Sequence, residues 1–254
     1  MEFINVNNKI FDIVTIKRSD LMFYPNGFYG FDSTMILLLP AIALTLYAQG
    51  KVKSSFAKYL RVPTQRGYTG GDVARSLLDQ NGLKDIPIEL ASGQLSDHYD
   101  PRSRVLRLSS EVYRGSSIAS VSVAAHEVGH AIQHADGYAP LSMRNVIFPV
   151  ARFGSSAAWL FIIAGLLIPS LGGLMDIGIV LFGAAVLFQL ITLPVEFNAS
   201  SRALELLDSN GYVSGEETKG AKKVLQAAAL TYIAAMATGI AQLIRLFVLR
   251  NRRN

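Results

Sequence analysis

Three of the chain's four histidines lie within nine residues, from His126 to His134, and the run opens with the zinc-protease pattern H-E-x-x-H. Residues four apart on an α-helix lie one above the other, so His126 and His130 can bind one metal ion. Zinc held by two imidazoles keeps an open position for water and lowers the pKa of that water to about 7. Glu127 lies beside the pair and is the candidate general base. The pattern therefore predicts metal-dependent hydrolysis.

The residues around the pattern favour a helix of about 18 residues. Ser116 and Ser117 can cap its start, the run 118–125 is apolar or small, and Asp136 with Gly137, followed by Pro140, can end it. The alternative is a core helix whose histidines are satisfied by hydrogen bonds, because H-E-x-x-H also occurs by chance. A metal site needs a third protein ligand from elsewhere in the chain.

His134 and Asp136 are the two candidates nearest in sequence. His134 lies about 12 Å of helical rise beyond His126, so it could share the ion only if the helix broke between them. A role at the surface or in support of the ligands is favoured for His134. Asp136 stands where metzincins place their last ligand, but Gln133 stands where those enzymes have a helix-breaking glycine. Both residues are therefore disfavoured as ligands.

Glu196 is the favoured third ligand. It follows Pro194, a residue that suits the first turn of a helix, so a helix is predicted to open there. By itself, Glu196 would be a solvated carboxylate stabilised by the helix dipole. Beside His126 and His130 it would complete the two-histidine, one-glutamate set of a catalytic zinc site.

Four segments of the chain, taken together, form a combination that is specific enough to indicate a family resemblance. They are Leu39-Pro40-Ala41 with Tyr47-Ala48-Gln49, Asp97-His98-Tyr99-Asp100-Pro101-Arg102, the run from His126 to His134, and Leu193-Pro194-Val195-Glu196-Phe197-Asn198-Ala199-Ser200. On these segments, and over most of its length, the chain resembles the YugP-type neutral zinc metallopeptidases of bacterial membranes. These enzymes are gluzincin-like and distantly related to HtpX and the CAAX prenyl endopeptidases.

The resemblance implies that His126, His130 and Glu196 bind zinc and that Glu127 is the general base. In HtpX-like relatives an aspartate commonly lies four residues after the ligand glutamate and orients a zinc histidine. This chain has Ser200 at that place, and a serine hydroxyl can still hydrogen-bond a ligand.

Composition independently indicates a membrane protein, since half of the residues are hydrophobic and the mean hydropathy is +0.31. Apolar runs at 33–50, 155–174, 177–195 and 225–244 approach the roughly 20 residues that cross a bilayer core. Buried helices of a soluble protein are the alternative, which several such runs in so short a chain disfavour. The predicted fold class is a mainly α membrane protein with three or four transmembrane helices and a small zincin-like α+β cytoplasmic domain.

The predicted organisation has six parts. They are an N-terminal segment (1–32), a first span (33–50), a zincin-like domain with the H-E-V-G-H helix (51–154), a transmembrane hairpin (155–195), a helix with the third zinc ligand (196–224), and a fourth membrane segment with a basic tail (225–254). The first 21 residues are polar and form no obvious element. The resembling family tends to begin close to the first span, so the resemblance implies Met22 as an alternative natural start.

Basic residues near the spans predict the orientation. The basic residues that follow the first span are Lys51, Lys53, Lys58, Arg61 and Arg66, those that precede the second are Arg144 and Arg152, and those that precede the fourth are Lys219, Lys222 and Lys223. An excess of lysine and arginine marks the cytoplasmic side, so the catalytic site is expected to face the cytoplasm. The basic tail after 244 disagrees if the fourth segment crosses fully. Either that segment lies in or re-enters the membrane, or the charge rule fails there.

The region 51–154 shows both helical and strand signals. Thr69 can cap a helix at 71–80, while 86–90 and 105–108 have strand character and form a hairpin-like region. The strand at 104–108 is predicted to be the edge that binds a peptide by main-chain hydrogen bonds. His98 and Tyr99 either stabilise the oxyanion of the transition state or shape the turn.

These features predict a membrane-bound zinc-dependent endopeptidase that hydrolyses peptide bonds near the cytoplasmic membrane surface. Its partners would be a protein or peptide substrate, itself membrane-associated, and membrane lipid, and not nucleic acid, because the basic run abuts a span. One alternative is a non-proteolytic zinc-binding membrane scaffold or regulatory protein, and another is a zinc hydrolase of a different bond. The chain has no cysteine, which excludes disulfides and thiolate ligands.

Overall fold

The computed structural model describes residues 33–252. In chain order these residues form α1 (Leu39–Leu60), α2 (Gly70–Gln80), β1 (Ile88–Ala91), β2 (His98–Asp100), β3 (Val105–Ser109), α3 (Ser110–Arg114), α4 (Ile118–Ala135), α5 (Ala139–Leu167), α6 (Gly173–Ser209) and α7 (Glu216–Asn251). Short 3-10 turns at Ser33–Leu38 and Pro169–Leu171 precede α1 and α6. The predicted N-terminal segment and the proposed start at Met22 lie outside the described residues.

Four of the segments are long and apolar enough to cross a membrane: Ser33–Leu60, Ala139–Leu167, Gly173–Ser209 and Glu216–Asn251. Three of them include a predicted span and extend past its end, whereas the second segment ends at Leu167, before the predicted end of its span at 174, where a 3-10 turn intervenes. The mainly α membrane fold is therefore confirmed. The fourth segment is one helix of 36 residues, about 54 Å long, which is ample to cross a bilayer core of about 30 Å.

Glu196 lies in the middle of a helix, so the prediction that a helix opens just after Pro194 is wrong. Pro194 is inside α6, which continues to Ser209. A proline removes one backbone hydrogen bond and bends a helix, but packing of the residues before and after it can maintain the helix. Val195 and Ala199, directly beyond the proline, are fully buried.

Contacts divide the chain into two compact units, and one of them, residues 46–149 with 188–233, carries all the predicted site residues. Its core is an apolar cluster of α2, β3, α3 and α4 with later parts of the chain. The fully buried members include Val73, Leu77, Leu78, Leu106, Leu108, Val112, Val121 and Val128. Thr69 and Asp72 form a capping box at the start of α2, as the sequence predicted for Thr69.

The sheet of this unit has the strand order β1-β3-β2. β1 runs parallel to β3, with Ile88 opposite Leu106, and β2 runs antiparallel to β3, with Tyr99 opposite Leu106. The two predicted strands exist, but they do not form a hairpin with each other. β3 is also the central strand, so its predicted role as the peptide-binding edge is wrong. Its residues are buried on both faces, which a five-residue apolar pattern alone does not reveal.

The other unit comprises, among the described residues, 33–45, 150–187 and 234–252. Two helices approach closely here, since a Cβ on Gly178 of α6 would lie 2.8 Å from the carbonyl oxygen of Ala158 in α5. Glycine permits such contact between membrane helices. Asp176 forms an ion pair with Arg250 of α7, and the hydroxyls of Thr45 and Thr238 lie 3.1 Å apart.

Candidate metal centre

Helix α4 places two of the predicted ligands side by side. It begins at Ile118, after a Ser117 side chain that accepts a hydrogen bond from the Ser120 amide, and ends before Gly137, whose φ is +63°. Its 18 residues match the length that the sequence predicted. The imidazole rings of His126 and His130 lie on one face with centroids 4.7 Å apart.

Glu196 of α6 brings its carboxylate to the same point. Its Oε2 lies 3.3 Å from His126 Nε2 and 3.6 Å from His130 Nε2, and the three ligand atoms fall within 4.8 Å of one another. Oε2 is buried and forms no hydrogen bond with any residue between 33 and 252. A buried carboxylate oxygen left without a donor, facing two imidazole nitrogens, fits a bound cation. The set of two nitrogens and one oxygen suits zinc.

Gly129, the glycine of H-E-V-G-H, permits this approach of α6 to α4. A Cβ at this position would lie 2.8 Å from the backbone carbonyl oxygen of Ala199. That distance is too short for any side chain, and the clashing atom belongs to a buried backbone that cannot rotate away. The glycine therefore lets the two ligand-bearing helices lie in direct contact beside the site.

The fully buried Gln133 side chain links His130 to α6. Its Oε1 lies 3.0 Å from His130 Nδ1, and its Nε2 donates to the Val195 carbonyl and to Asn198 Oδ1, both at 2.8 Å. Arg202 donates to the same Asn198 oxygen. Such partners orient a ligating histidine and raise its basicity.

Ser200 supports the other histidine. Its Oγ lies 3.2 Å from His126 Nδ1, on the side of the ring away from Glu196. A serine at this position can therefore hydrogen-bond His126, as the sequence allowed. A neutral hydroxyl stabilises a cationic or metal-bound imidazole less than a carboxylate does.

Glu127 occupies the place expected of a base beside the ligands. Its side chain is buried, and Oε2 accepts a hydrogen bond of 3.0 Å from the Tyr99 backbone amide in β2. Burial raises the pKa of Glu127 to about 7, with nearby Asp97 and Glu196 adding to the rise and His126 opposing it. A carboxylate of this pKa can both accept and return a proton near neutral pH.

Arg144 of α5 was missed as a site residue, since the sequence suggested only its topological role. Its side chain is buried, and Nη1 lies 3.5 Å from Glu196 Oε1. The guanidinium thus engages Oε1, while Oε2 is the oxygen that lies 3.3 and 3.6 Å from the two histidine nitrogens. The available signal was an arginine among apolar residues at the head of a membrane helix, where a buried charge requires a partner.

The remaining candidates lie outside the ligand cluster. His134 Nδ1 lies 2.9 Å from the Tyr99 hydroxyl, and Asp136 pairs with Arg202 at 2.7 Å. The His98 ring binds a backbone carbonyl two residues upstream at 2.8 Å. The structure therefore places neither His134 nor Asp136 with the ligands, as expected. The hydroxyl of Tyr99 points to His134, which favours a structural role over oxyanion binding.

Comparisons with known proteins show the family of the chain. The family model described as "Putative neutral zinc metallopeptidase" matches residues 34–251. The chain is 52% identical over 211 residues to "Putative membrane protease YugP" of Bacillus subtilis (strain 168), covering 83% of this chain and 93% of that protein. No solved structure matches the chain. With a family model over most of its length and a relative of this identity, the chain belongs to the membrane family of neutral zinc metallopeptidases.

Proposed function

We propose that this chain is a zinc-dependent endopeptidase that cleaves proteins or peptides at the cytoplasmic surface of the cell membrane. One observation carries the proposal: the unpartnered Oε2 of Glu196 faces the Nε2 atoms of His126 and His130, with the buried carboxylate of Glu127 next to them. This is the arrangement that metal-assisted hydrolysis requires.

His126, His130 and Glu196 would hold the ion, and Glu127 is the group that moves the proton. Zinc bound there would act as a Lewis acid on the peptide carbonyl and lower the pKa of the attacking water. Glu127 accepts the proton of that water and later donates it to the leaving amine. The Tyr99 amide holds one oxygen of Glu127, so the other oxygen is the one that takes the proton.

The substrate would bind along β2. This strand is an edge of the sheet, and the Tyr99 amide on its outer side points at Glu127. An extended peptide added to a sheet edge is held by its main chain, with no requirement for a free terminus. That mode of binding favours endopeptidase over exopeptidase action, and β2 takes the place first predicted for β3.

The cytoplasmic orientation is supported by the basic residues that follow the first span and precede the fourth. The basic tail after 244 disagrees with this orientation, but its Arg250 is paired with Asp176. A neutralised arginine is a weaker signal of topology. Glu196 directly follows the apolar run 177–195 in the sequence, so the site would lie close to the membrane surface. Membrane-associated proteins or peptides are therefore the favoured substrates.

The test uses the full chain purified in detergent. It should contain about one zinc per chain, as a catalytic site requires, and cleave an unfolded protein into internal fragments in a chelator-sensitive manner. Glu127→Gln should retain the zinc and lower cleavage by about 10²- to 10⁴-fold. Zinc with no cleavage would favour the scaffold or regulatory alternative. Cleavage that survives Glu127→Gln would contradict the mechanism.

The orientation has a separate test, because the chain has no native cysteine. Lys84→Cys introduces a single thiol at an exposed position of the unit that carries the site. A membrane-impermeant maleimide should label it only after the cells are opened. Labelling of intact cells would place the site on the outer face.

A further inference from the structure

The third histidine of the H-E-V-G-H-A-I-Q-H run has a defined partner outside the metal ligands. We propose that His134 is a positioning residue for the general base Glu127 and acts through Tyr99. This inference rests on the proposed peptidase mechanism. It assigns a role to His134, which is not one of the three proposed metal ligands.

Tyr99 is attached to α4 at both of its ends. Its backbone amide donates to Glu127 Oε2 at 3.0 Å, and its hydroxyl lies 2.9 Å from His134 Nδ1. The ring lies against the imidazole with centroids 5.8 Å apart, and Tyr99 is only 8% exposed. One residue of β2 therefore spans about two turns of α4, with its backbone amide at Glu127 and its hydroxyl at His134.

The strand that holds Glu127 is short and is tied to β3 on one side. β2 has three residues, and Asp97 and Asp100 at its two ends bind Ser109 and Arg107 of β3. The hydrogen bond to His134 ties the Tyr99 side chain of the same strand to α4. It therefore helps to set the distance between β2 and α4, and with it the point at which the Tyr99 amide meets the carboxylate.

This arrangement gives each of the three evenly spaced histidines a role. His126, His130 and His134 recur every four residues and lie along one stripe of α4. The first two face Glu196, and the third, one turn further, holds the strand beside them. A displacement of about 1 Å in a catalytic group can cost about 100-fold in rate.

The kinetic test uses Tyr99→Phe and His134→Ala in the full chain. Each should lower kcat by about 5- to 30-fold, since Glu127 keeps the backbone donor but loses its exact placement. Zinc content should stay unchanged, and the double variant should be no slower than the slower single one. His134→Asn keeps a polar atom at the δ position and should restore most of kcat. Tyr212→Phe removes a comparable hydroxyl bond, to Ser76, and should leave kcat unchanged.

A second readout needs no catalysis. Hydrogen exchange of the amides at 98–100 should become faster in Tyr99→Phe and in His134→Ala, while exchange at 105–109 stays as in the unmodified chain. If the unmodified chain fails to cleave, the proposed function falls, yet exchange still tests the coupling. Unchanged exchange at 98–100, a Tyr99→Phe variant with full kcat, loss of zinc in His134→Ala, or failure of His134→Asn to restore kcat would overturn the inference.

Discussion

Gln133 determines which nitrogen of His130 faces the metal site. The Gln133 amide nitrogen donates to two acceptors, the Val195 carbonyl and Asn198 Oδ1, so its oxygen must be the atom 3.0 Å from His130 Nδ1. An oxygen only accepts, and His130 Nδ1 must therefore carry the hydrogen. The lone pair is left on Nε2, the nitrogen that lies 3.6 Å from Glu196 Oε2.

Replacing Gln133 with leucine should weaken metal binding without unfolding the chain. The variant removes the acceptor that fixes the His130 tautomer, and loss of such a partner typically costs about 10- to 100-fold in metal affinity. Competition with a chromophoric chelator measures the change. Gln80→Leu, at an exposed position of α2, is the control and should bind zinc like the unmodified chain. Equal affinity in the two variants would contradict the tautomer argument.

Gly129→Ala should damage the site although the residue carries no functional group. The added methyl would lie 2.8 Å from the Ala199 carbonyl, so α4 and α6 must move apart where Glu196 meets the histidines. Overpacking of this kind costs about 1–3 kcal/mol of stability. Zinc content and Tm should both fall. Gly50→Ala, where the methyl meets no atom within 4 Å, should preserve both, and a Gly129→Ala variant with normal zinc content would refute the prediction.

Glu196→Ala and His134→Ala should separate ligand from supporting residue. Loss of the Glu196 carboxylate would remove one of the three proposed ligands, so the purified variant should lack zinc. His134 lies outside the cluster and contacts Tyr99, so its alanine variant should keep about one zinc per chain. Metal analysis of the two purified proteins decides the point. Zinc retained in Glu196→Ala and lost in His134→Ala would show that His134, and not Glu196, is the third ligand.

The metal-free protein should show a pH-dependent effect of Glu127→Gln on stability. Burial raises the pKa of Glu127 to about 7, so the folded state holds its proton more tightly than the unfolded state. The stabilisation from that proton is full below the ordinary pKa of glutamate and is lost as pH rises through about 7. Glutamine carries no such dependence. The Tm of the variant minus that of the unmodified chain, measured with chelator, should grow from pH 5 to pH 8.

A Tm difference that stays constant over this range would show that Glu127 does not titrate with a raised pKa. Glu127→Asp is the companion variant, because it keeps a titrating carboxyl group on a shorter side chain. Its Tm should therefore still depend on pH, as that of the unmodified chain does. This comparison separates the effect of the charge from the effect of removing the glutamate side chain.

Much of the site was predictable because His126, Glu127 and His130 lie close together in the sequence, on one helix. The helix at 118–135 and its two ends follow from spacing and capping residues, and the four apolar runs follow from composition. The pairing of the β-strands could not be predicted from local sequence in the same way. The strands at 88–91 and 105–109 were placed correctly, but their parallel pairing and the central position of β3 depend on β2, whose three residues carry no strand signal of their own.

The sequence by itself determined the chemistry, since the types and spacing of His126, Glu127 and His130 leave few alternatives on one helix. Only the tertiary structure decided the geometry: that Glu196 Oε2 lies between the two imidazoles, and that Arg144 engages its other oxygen. These contacts join residues more than 50 positions apart. A helical pattern shows which face of a helix is apolar, but not which distant face it meets, and here that meeting depends on the close packing allowed by Gly129.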